Sequence, residues 1–78
     1  MEYVDIFEIN HKVMFYKHEY PEIDIKVKYN PYELYLNITI RSGMLKLNHT
    51  EPVLSTEQAL AILDLAMIDF LTVWRKGE

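Results

Sequence analysis

The strongest constraint on this chain is a strict alternation of apolar and polar residues in two neighbouring stretches. Apolar side chains occupy every second position from 23 to 29 and again from 34 to 40. Period-two alternation is typical of a strand with one buried face. The intervening Asn30-Pro31-Tyr32-Glu33 predicts a turn, because proline presets the turn geometry. A four-residue loop would pair Tyr29 with Leu34, which places both apolar faces on the same side of a hairpin.

Further turn signals extend this hairpin into a meander. Ser42-Gly43 predicts a two-residue turn that pairs Ile40 with Leu45, and Tyr20-Pro21 predicts another turn upstream. In the first segment the apolar residues fall on both faces, so the register of that strand stays open. The predicted strands cover about residues 3–9, 12–19, 22–29, 34–41 and 44–49.

The apolar period changes at Ser55, where a helix is predicted to begin. Ser55-Thr56-Glu57-Gln58 is a capping-box pattern, Arg75 and Lys76 suit the negative end of the helix dipole, and Gly77 is a natural stop. This helix should cover about residues 56–76. The sequence therefore predicts an α+β fold, an antiparallel β-meander of four or five strands with one C-terminal α-helix packed on one face.

Composition limits the functions that such a domain can have. With 78 residues, half of them apolar and about a quarter charged, the chain is predicted to be one globular domain over 1–78. The lack of cysteine excludes disulfides, a thiol nucleophile and a cysteine zinc site, and two glycines are too few for a phosphate-binding loop. No apolar run reaches the length of a membrane span, and Met1-Glu2-Tyr3 does not open a signal peptide. We therefore expect a cytoplasmic protein that does not enter a membrane.

The predicted helix carries more apolar surface than one sheet can hide. Its sheet-facing half is formed by Ala59, Leu60, Ile62, Leu63, Ala66, Met67, Phe70, Leu71, Val73 and Trp74. A second stripe on the opposite half repeats at spacings of three and four, as a helix–helix seam does. The members of this stripe that we expect to mediate self-association are Ala61, Leu65, Ile68 and Thr72.

This second stripe predicts a homodimer through the C-terminal helix, because a small domain gains buried area most easily by pairing with a copy of itself. In an antiparallel pairing, Asp64 and Asp69 would approach Arg75 or Lys76 of the partner helix. Two alternatives stay open. In the first, the apolar residues of the stripe are scattered surface positions. In the second, the N-terminal strand or a loop folds over them.

A second surface is predicted on the outer face of the sheet, where five of the eight Lys and Arg residues collect in a chain of net charge −4. Such a face suits an acidic protein surface, or a single nucleic-acid strand held by its phosphates and stacked bases. The alternative is a solvated face on which lysine discourages aggregation. The residues predicted for this face are Phe15, Lys17, Lys26, Lys28, Tyr35, Arg41 and Lys46.

The sequence offers no catalytic, cofactor or metal site. His11, His18 and His49 are predicted in a turn, on the second strand and after the last strand, which does not bring them together as metal ligands. Ser42 and Ser55 are explained by a turn and a helix cap, so a Ser-His-Asp arrangement has no spare nucleophile. We therefore expect a protein that is not an enzyme.

Four antiparallel strands followed by a C-terminal helix, entered through Val53-Leu54-Ser55-Thr56-Glu57-Gln58, resemble the single-stranded-DNA-binding transcriptional coactivators of the positive cofactor 4 type. The resemblance implies a helix-paired dimer and a basic, aromatic sheet surface that holds the strand. The basic loops and tryptophan-bearing strands of that family have no counterpart here, so no family residue is carried over. In size and acidity the chain is also similar to small phage or mobile-element proteins that block a host machine by binding it.

These features predict a small non-enzymatic protein-interaction module, a homodimeric regulator or inhibitor that binds another macromolecule. A protein partner is favoured over single-stranded nucleic acid, because the acidity of the whole chain opposes a polyanion. Single-stranded nucleic-acid binding on the same sheet face is the alternative. The aromatic content also suggests, more weakly, that two subunits sequester a small ligand between them.

Overall fold

The computed structural model describes residues 4–77 and shows an α+β fold. A helix comes first, followed by an antiparallel sheet of three strands in the order β1-β2-β3 and a second helix. Both helices contribute to one apolar core on the same face of the sheet. The elements are α1 (Ile6–Glu19), β1 (Asp24–Asn30), β2 (Tyr35–Ser42), β3 (Leu45–Pro52) and α2 (Thr56–Lys76).

The N-terminal helix corrects the prediction of strands over 3–9 and 12–19, of which residue 3 lies outside the described part. The Asp5 side chain caps α1 by accepting a hydrogen bond of 2.9 Å from the Phe7 N–H. Ile9 and Val13 are one helical turn apart and both are buried. The described chain therefore holds three strands rather than four or five, because residues 6–19 pack on the sheet instead of extending it.

The three remaining predicted strands are present, but their pairing is shifted by two residues. Tyr29 pairs with Leu36 rather than Leu34, and Arg41 pairs with Asp24. A shift of two keeps every side chain on its predicted face, because side chains alternate with period two. The shift arises at the turn, where Leu34 adopts φ 61 and stays outside the ladder.

The second turn consists of Gly43 and Met44 rather than Ser42-Gly43. Ser42 pairs with Leu45, and Gly43 has φ +60. A positive φ at the first central position of a two-residue hairpin turn favours glycine, because glycine has no Cβ to clash. The apolar faces again remain continuous, since this register is also displaced by two.

The bounds of α2 confirm the predicted helix. The Ser55 hydroxyl accepts a hydrogen bond of 3.1 Å from the Gln58 N–H. The Gln58 side chain accepts from the Leu54 N–H at 2.8 Å rather than from the N–H of Ser55. Seven of the ten predicted sheet-facing residues are buried and two are partly buried, whereas Val73 is exposed.

The two helices lie side by side and run in the same direction. The Asp5 N–H donates to the Thr56 hydroxyl at 2.8 Å near the start of both helices. Midway along, the Tyr16 hydroxyl donates to the Asp64 carboxylate at 2.5 Å, and Lys12 Nζ lies 3.4 Å from the same oxygen. Burial, and then the hydrogen bond to Asp64, raise the pKa of Tyr16 above its ordinary value. The contact therefore keeps Tyr16 protonated and fixes α1 against one side of α2.

Candidate functional site

The outer face of the sheet carries no element of the described chain, and it holds most of the predicted partner-binding residues. The alternation of side chains places Asp24, Arg41 and Lys46 in one cross-strand row, while Lys26 and Lys28 follow along β1. Tyr35 lies on the same face near the other end of β2. The predicted residues that share this face are Lys26, Lys28, Tyr35, Arg41 and Lys46.

Phe15 and Lys17 do not belong to this surface. Both lie on α1, on the other side of the sheet, because residues 6–19 are helical. Val13, which would have stood on the outer face of an extended strand, is buried in the core instead. The outer sheet face is therefore smaller and less aromatic than the sequence predicts.

The charge of this face is opposite to the charge of the rest of the chain. It holds four cations, at positions 26, 28, 41 and 46, and one carboxylate at position 24, whereas the remaining sequence has four cations and eleven carboxylates. None of the four cations makes an ion pair with another residue of the range 4–77. Their charge is therefore available to a partner.

Neutral hydrogen-bonding groups lie among these cations. Asn37 donates to the Thr50 hydroxyl at 2.6 Å, and the Thr39 hydroxyl donates to the Asn48 amide oxygen at 3.2 Å. These cross-strand bonds order the centre of the face but leave each amide with further donor or acceptor capacity. The face can therefore both attract an anionic group and bind it by hydrogen bonds.

An aromatic hollow lies at the β1–β2 end of this face. It has a volume of about 670 Å³ and is lined by Tyr32, Tyr35, Lys28 and Asn37, among others. Tyr32 is 94% exposed at the tip of the turn. Sequence reasoning treated Tyr32 as a turn residue and missed this role, because period-two alternation does not extend into a turn.

The predicted self-association stripe lies on the surface of α2. Leu65 is 62% exposed and Ile68 is 57% exposed, and Ala61 and Thr72 are also exposed. The Thr72 hydroxyl donates to the Ile68 carbonyl at 2.8 Å, which turns its polar group back onto the helix. Within residues 4–77, neither the segment predicted as the N-terminal strand nor a loop covers Leu65 and Ile68.

Two of the charged residues that flank the stripe contact side chains of their own chain, where the sequence predicts contacts with a partner helix. Asp64 is engaged by Lys12 and Tyr16 of its own chain, and Arg75 donates to the Tyr20 hydroxyl at 3.3 Å. Asp69 has no ion pair or hydrogen bond within the part of the chain that the structure describes. Asp69, unlike Asp64, is therefore open to a partner.

A further exposed set of side chains lies on α1 and was missed. Phe7, Met14 and Phe15 are exposed, as are His11 and His18. At about 100° per residue, Phe7, His11, Met14 and His18 share the side of α1 opposite the buried Ile9. Helical spacing reveals this set once residues 6–19 are treated as a helix.

The histidines and serines occupy separate places in the structure. His11 and His18 lie on α1 rather than in a turn and on a strand, and His49 lies in β3 with Nε2 2.8 Å from the Glu51 carboxylate. The Ser42 hydroxyl accepts from the Trp74 indole at 3.2 Å, while Ser55 caps α2. Across residues 4–77, no three His, Asp or Glu side chains cluster as metal ligands.

The chain matches no protein-family profile, no curated protein and no solved structure. The resemblance to the positive cofactor 4 type requires four strands before the helix, and the helix that precedes three strands contradicts that topology. Neither helix of the described chain has the length and apolar character needed to cross a membrane.

Proposed function

We propose that this protein is a non-enzymatic interaction module, a homodimeric regulator or inhibitor that binds an anionic surface of another macromolecule. The observation that carries the proposal is the outer sheet face, on which Lys26, Lys28, Arg41 and Lys46 have no ion-pair partner among residues 4–77. A face that only contacts solvent does not require basic side chains to collect on one side of an otherwise acidic chain.

An acidic protein surface is the favoured partner. Four cations give the face attraction and orientation towards carboxylates, and the cross-strand amides at Asn37 and Asn48 add hydrogen-bonding groups. The rest of the chain is strongly negative. That charge repels a long polyanion that extends beyond the face, but it affects a compact acidic patch less, since screening limits its range to about 10 Å.

The first prediction tests this face. The double variant Lys26→Glu, Lys28→Glu should lose capture of the partner in a pull-down from the native cell, because two attractions become repulsions. The double variant Lys17→Glu, Lys76→Glu has the same change in net charge away from the sheet and should capture the partner as the unmodified protein does. Equal capture by the two double variants would contradict the proposal.

Single-stranded nucleic acid is the second candidate, and the hollow beside Tyr32 and Tyr35 favours it, because aromatic rings stack on bases. The same pull-down repeated with nuclease separates the two partners. Capture that survives nuclease supports the protein partner. Loss of capture after nuclease treatment, together with oligothymidine binding that weakens steeply as salt rises, would contradict the protein partner. The partner would then be nucleic acid.

The second prediction concerns the homodimer. Leu65→Glu should give a folded monomer by light scattering, because it places a charge in the exposed stripe of α2 without touching the core. Met44→Glu adds the same charge at the fully exposed β2–β3 turn and should leave the dimer intact. An unmodified protein that is already monomeric at high micromolar concentration would exclude the homodimer.

A further inference from the structure

Strand β3 has an open edge beside a groove. It pairs with β2 on one side, and no strand of the range 4–77 pairs with its other side. The two-residue turn makes Ser42 and Leu45 the closing hydrogen-bonded pair. Hydrogen bonding alternates along an antiparallel ladder, so the N–H and C=O groups of Lys46, Asn48 and Thr50 point away from β2. These groups are a template for one more strand.

The groove between β3 and α2 would receive alternate side chains of that strand. Its volume is about 280 Å³, and its apolar lining is formed by Leu47, Ile62, Leu65 and Ala66. Directly paired residues of neighbouring strands point to the same face of a sheet. The residues of an added strand that pair with Leu47 and His49 would therefore face the helix side. The groove therefore adds side-chain selection to backbone pairing.

The two ends of the groove differ in chemistry. Val73 lines a hollow with Leu45, whereas Ile62 lines the groove with Glu51, so α2 runs antiparallel to β3. Asp69 lies towards the Leu45 end of the groove. An incoming strand would therefore meet the Asp69 carboxylate near Leu47, and Ile62 beside the contact between His49 and Glu51 at the other end.

The carboxylate of Asp69 determines which strand fits. Glu51 already lies against His49 at 2.8 Å, whereas Asp69 has no partner of its own in the described chain. A second copy of β3 would present Leu45, Leu47, His49 and Glu51 on the helix side, and none of these is a lysine or arginine that could meet Asp69. A cationic side chain complements Asp69 instead.

We propose that the open edge of β3 binds an extended peptide of another protein, in which an Arg or Lys two residues from an apolar side chain meets Asp69 while the apolar side chain fills the groove. This site is separate from the outer sheet face and recognises a basic segment rather than an acidic surface. It shares Leu65 with the α2 stripe, so a peptide in the groove and a partner copy on the stripe compete for that side chain. Backbone pairing supplies affinity and the two groove-facing side chains supply selection, as in other cases of strand addition.

The test is a titration of the isotope-labelled full chain with acetyl-Gly-Thr-Arg-Thr-Val-Thr-Gly-amide and with the same peptide in reversed order, followed by nuclear magnetic resonance. The amide signals of Lys46, Asn48 and Thr50 should move and exchange more slowly with solvent. Replacing the peptide arginine by glutamate should weaken binding about threefold at low salt. Asp69→Lys should reverse that preference.

Two variants at one position isolate the backbone edge. Asn48→Pro removes an N–H that points away from β2, and it should weaken peptide binding about tenfold. Asn48→Ala loses the same side-chain hydrogen bond from Thr39 but keeps the N–H, and it should bind as the unmodified chain does.

Signals that move on the outer sheet face instead, equal binding of the arginine and glutamate peptides, or no binding at millimolar peptide would overturn the proposal. Self-association that Asn48→Pro alone abolishes would assign the edge to a second copy and overturn it as well.

Discussion

A proline at position 14 is expected to lower the free energy of unfolding by about 3 kcal/mol or more. Met14 lies inside α1 and its side chain is 69% exposed. Proline there removes the N–H that bonds to the preceding turn, and its ring clashes with the carbonyl of Asn10. The loss is therefore a backbone effect, and a urea titration followed by circular dichroism measures it.

Met14→Ala is the matched control for this prediction. Alanine removes the same exposed side chain but keeps the N–H, and it is the best helix former. We expect its stability to stay within about 0.5 kcal/mol of the unmodified protein. If proline and alanine at position 14 were equally tolerated, α1 would not be a packed helix.

Helix α1 shows how a local pattern is overridden by tertiary packing. Residues 6–19 contain several β-branched and aromatic side chains, which favour strands. Two helical signals were nevertheless present. Asp5 stands three residues before Glu8, a cap followed by an acidic third position. Ile9, Val13 and Tyr16 follow the spacing of four and three that places residues on one helix face.

The hairpins show which features of a sheet the sequence determines. The core-facing sides of β1, β2 and β3 were predicted correctly, because alternation is strong and unaffected by a shift of two, although β3 is only partly buried on that side. The register was not, because it depends on turn conformation. Asn30 accepts hydrogen bonds from the N–H groups of Tyr32 and Glu33, and Leu34 takes a left-handed conformation. A leucine at such a position is uncommon, so the pattern does not indicate it.

The candidate surfaces follow from the same distinction. The outer face was predicted correctly for Lys26, Lys28 and Arg41, because their placement depends only on the alternation of side chains. The placement of Phe15 and Lys17 depended on a predicted strand, and that segment is a helix. The exposed stripe of α2 was predicted because helical spacing from a strong cap is reliable. The groove beside β3 could not be predicted, because it depends on how far α2 extends over the sheet edge.

Phe70→Ala is expected to have the largest effect on stability, a loss of about 3–5 kcal/mol. Phe70 is 2% exposed and lies in the core on the sheet side of α2. A domain of this size has a total stability of about 4–12 kcal/mol, so the alanine variant loses a large part of it. Phe70→Leu leaves a smaller cavity and should remain folded with a loss of about 1–2 kcal/mol.

Ile68→Ala, two positions away on the same helix, separates core packing from association. Ile68 is more than half exposed in the single chain, so at low protein concentration its loss should change stability by about 0.5 kcal/mol or less. At high concentration a dimer through α2 adds binding free energy to the folded state. Ile68→Ala should then lower the thermal midpoint relative to the unmodified protein, whereas Phe70→Leu should lower it equally at both concentrations. A concentration-independent effect of Ile68→Ala would mean that the stripe has no partner copy, and its apolar character would need another explanation.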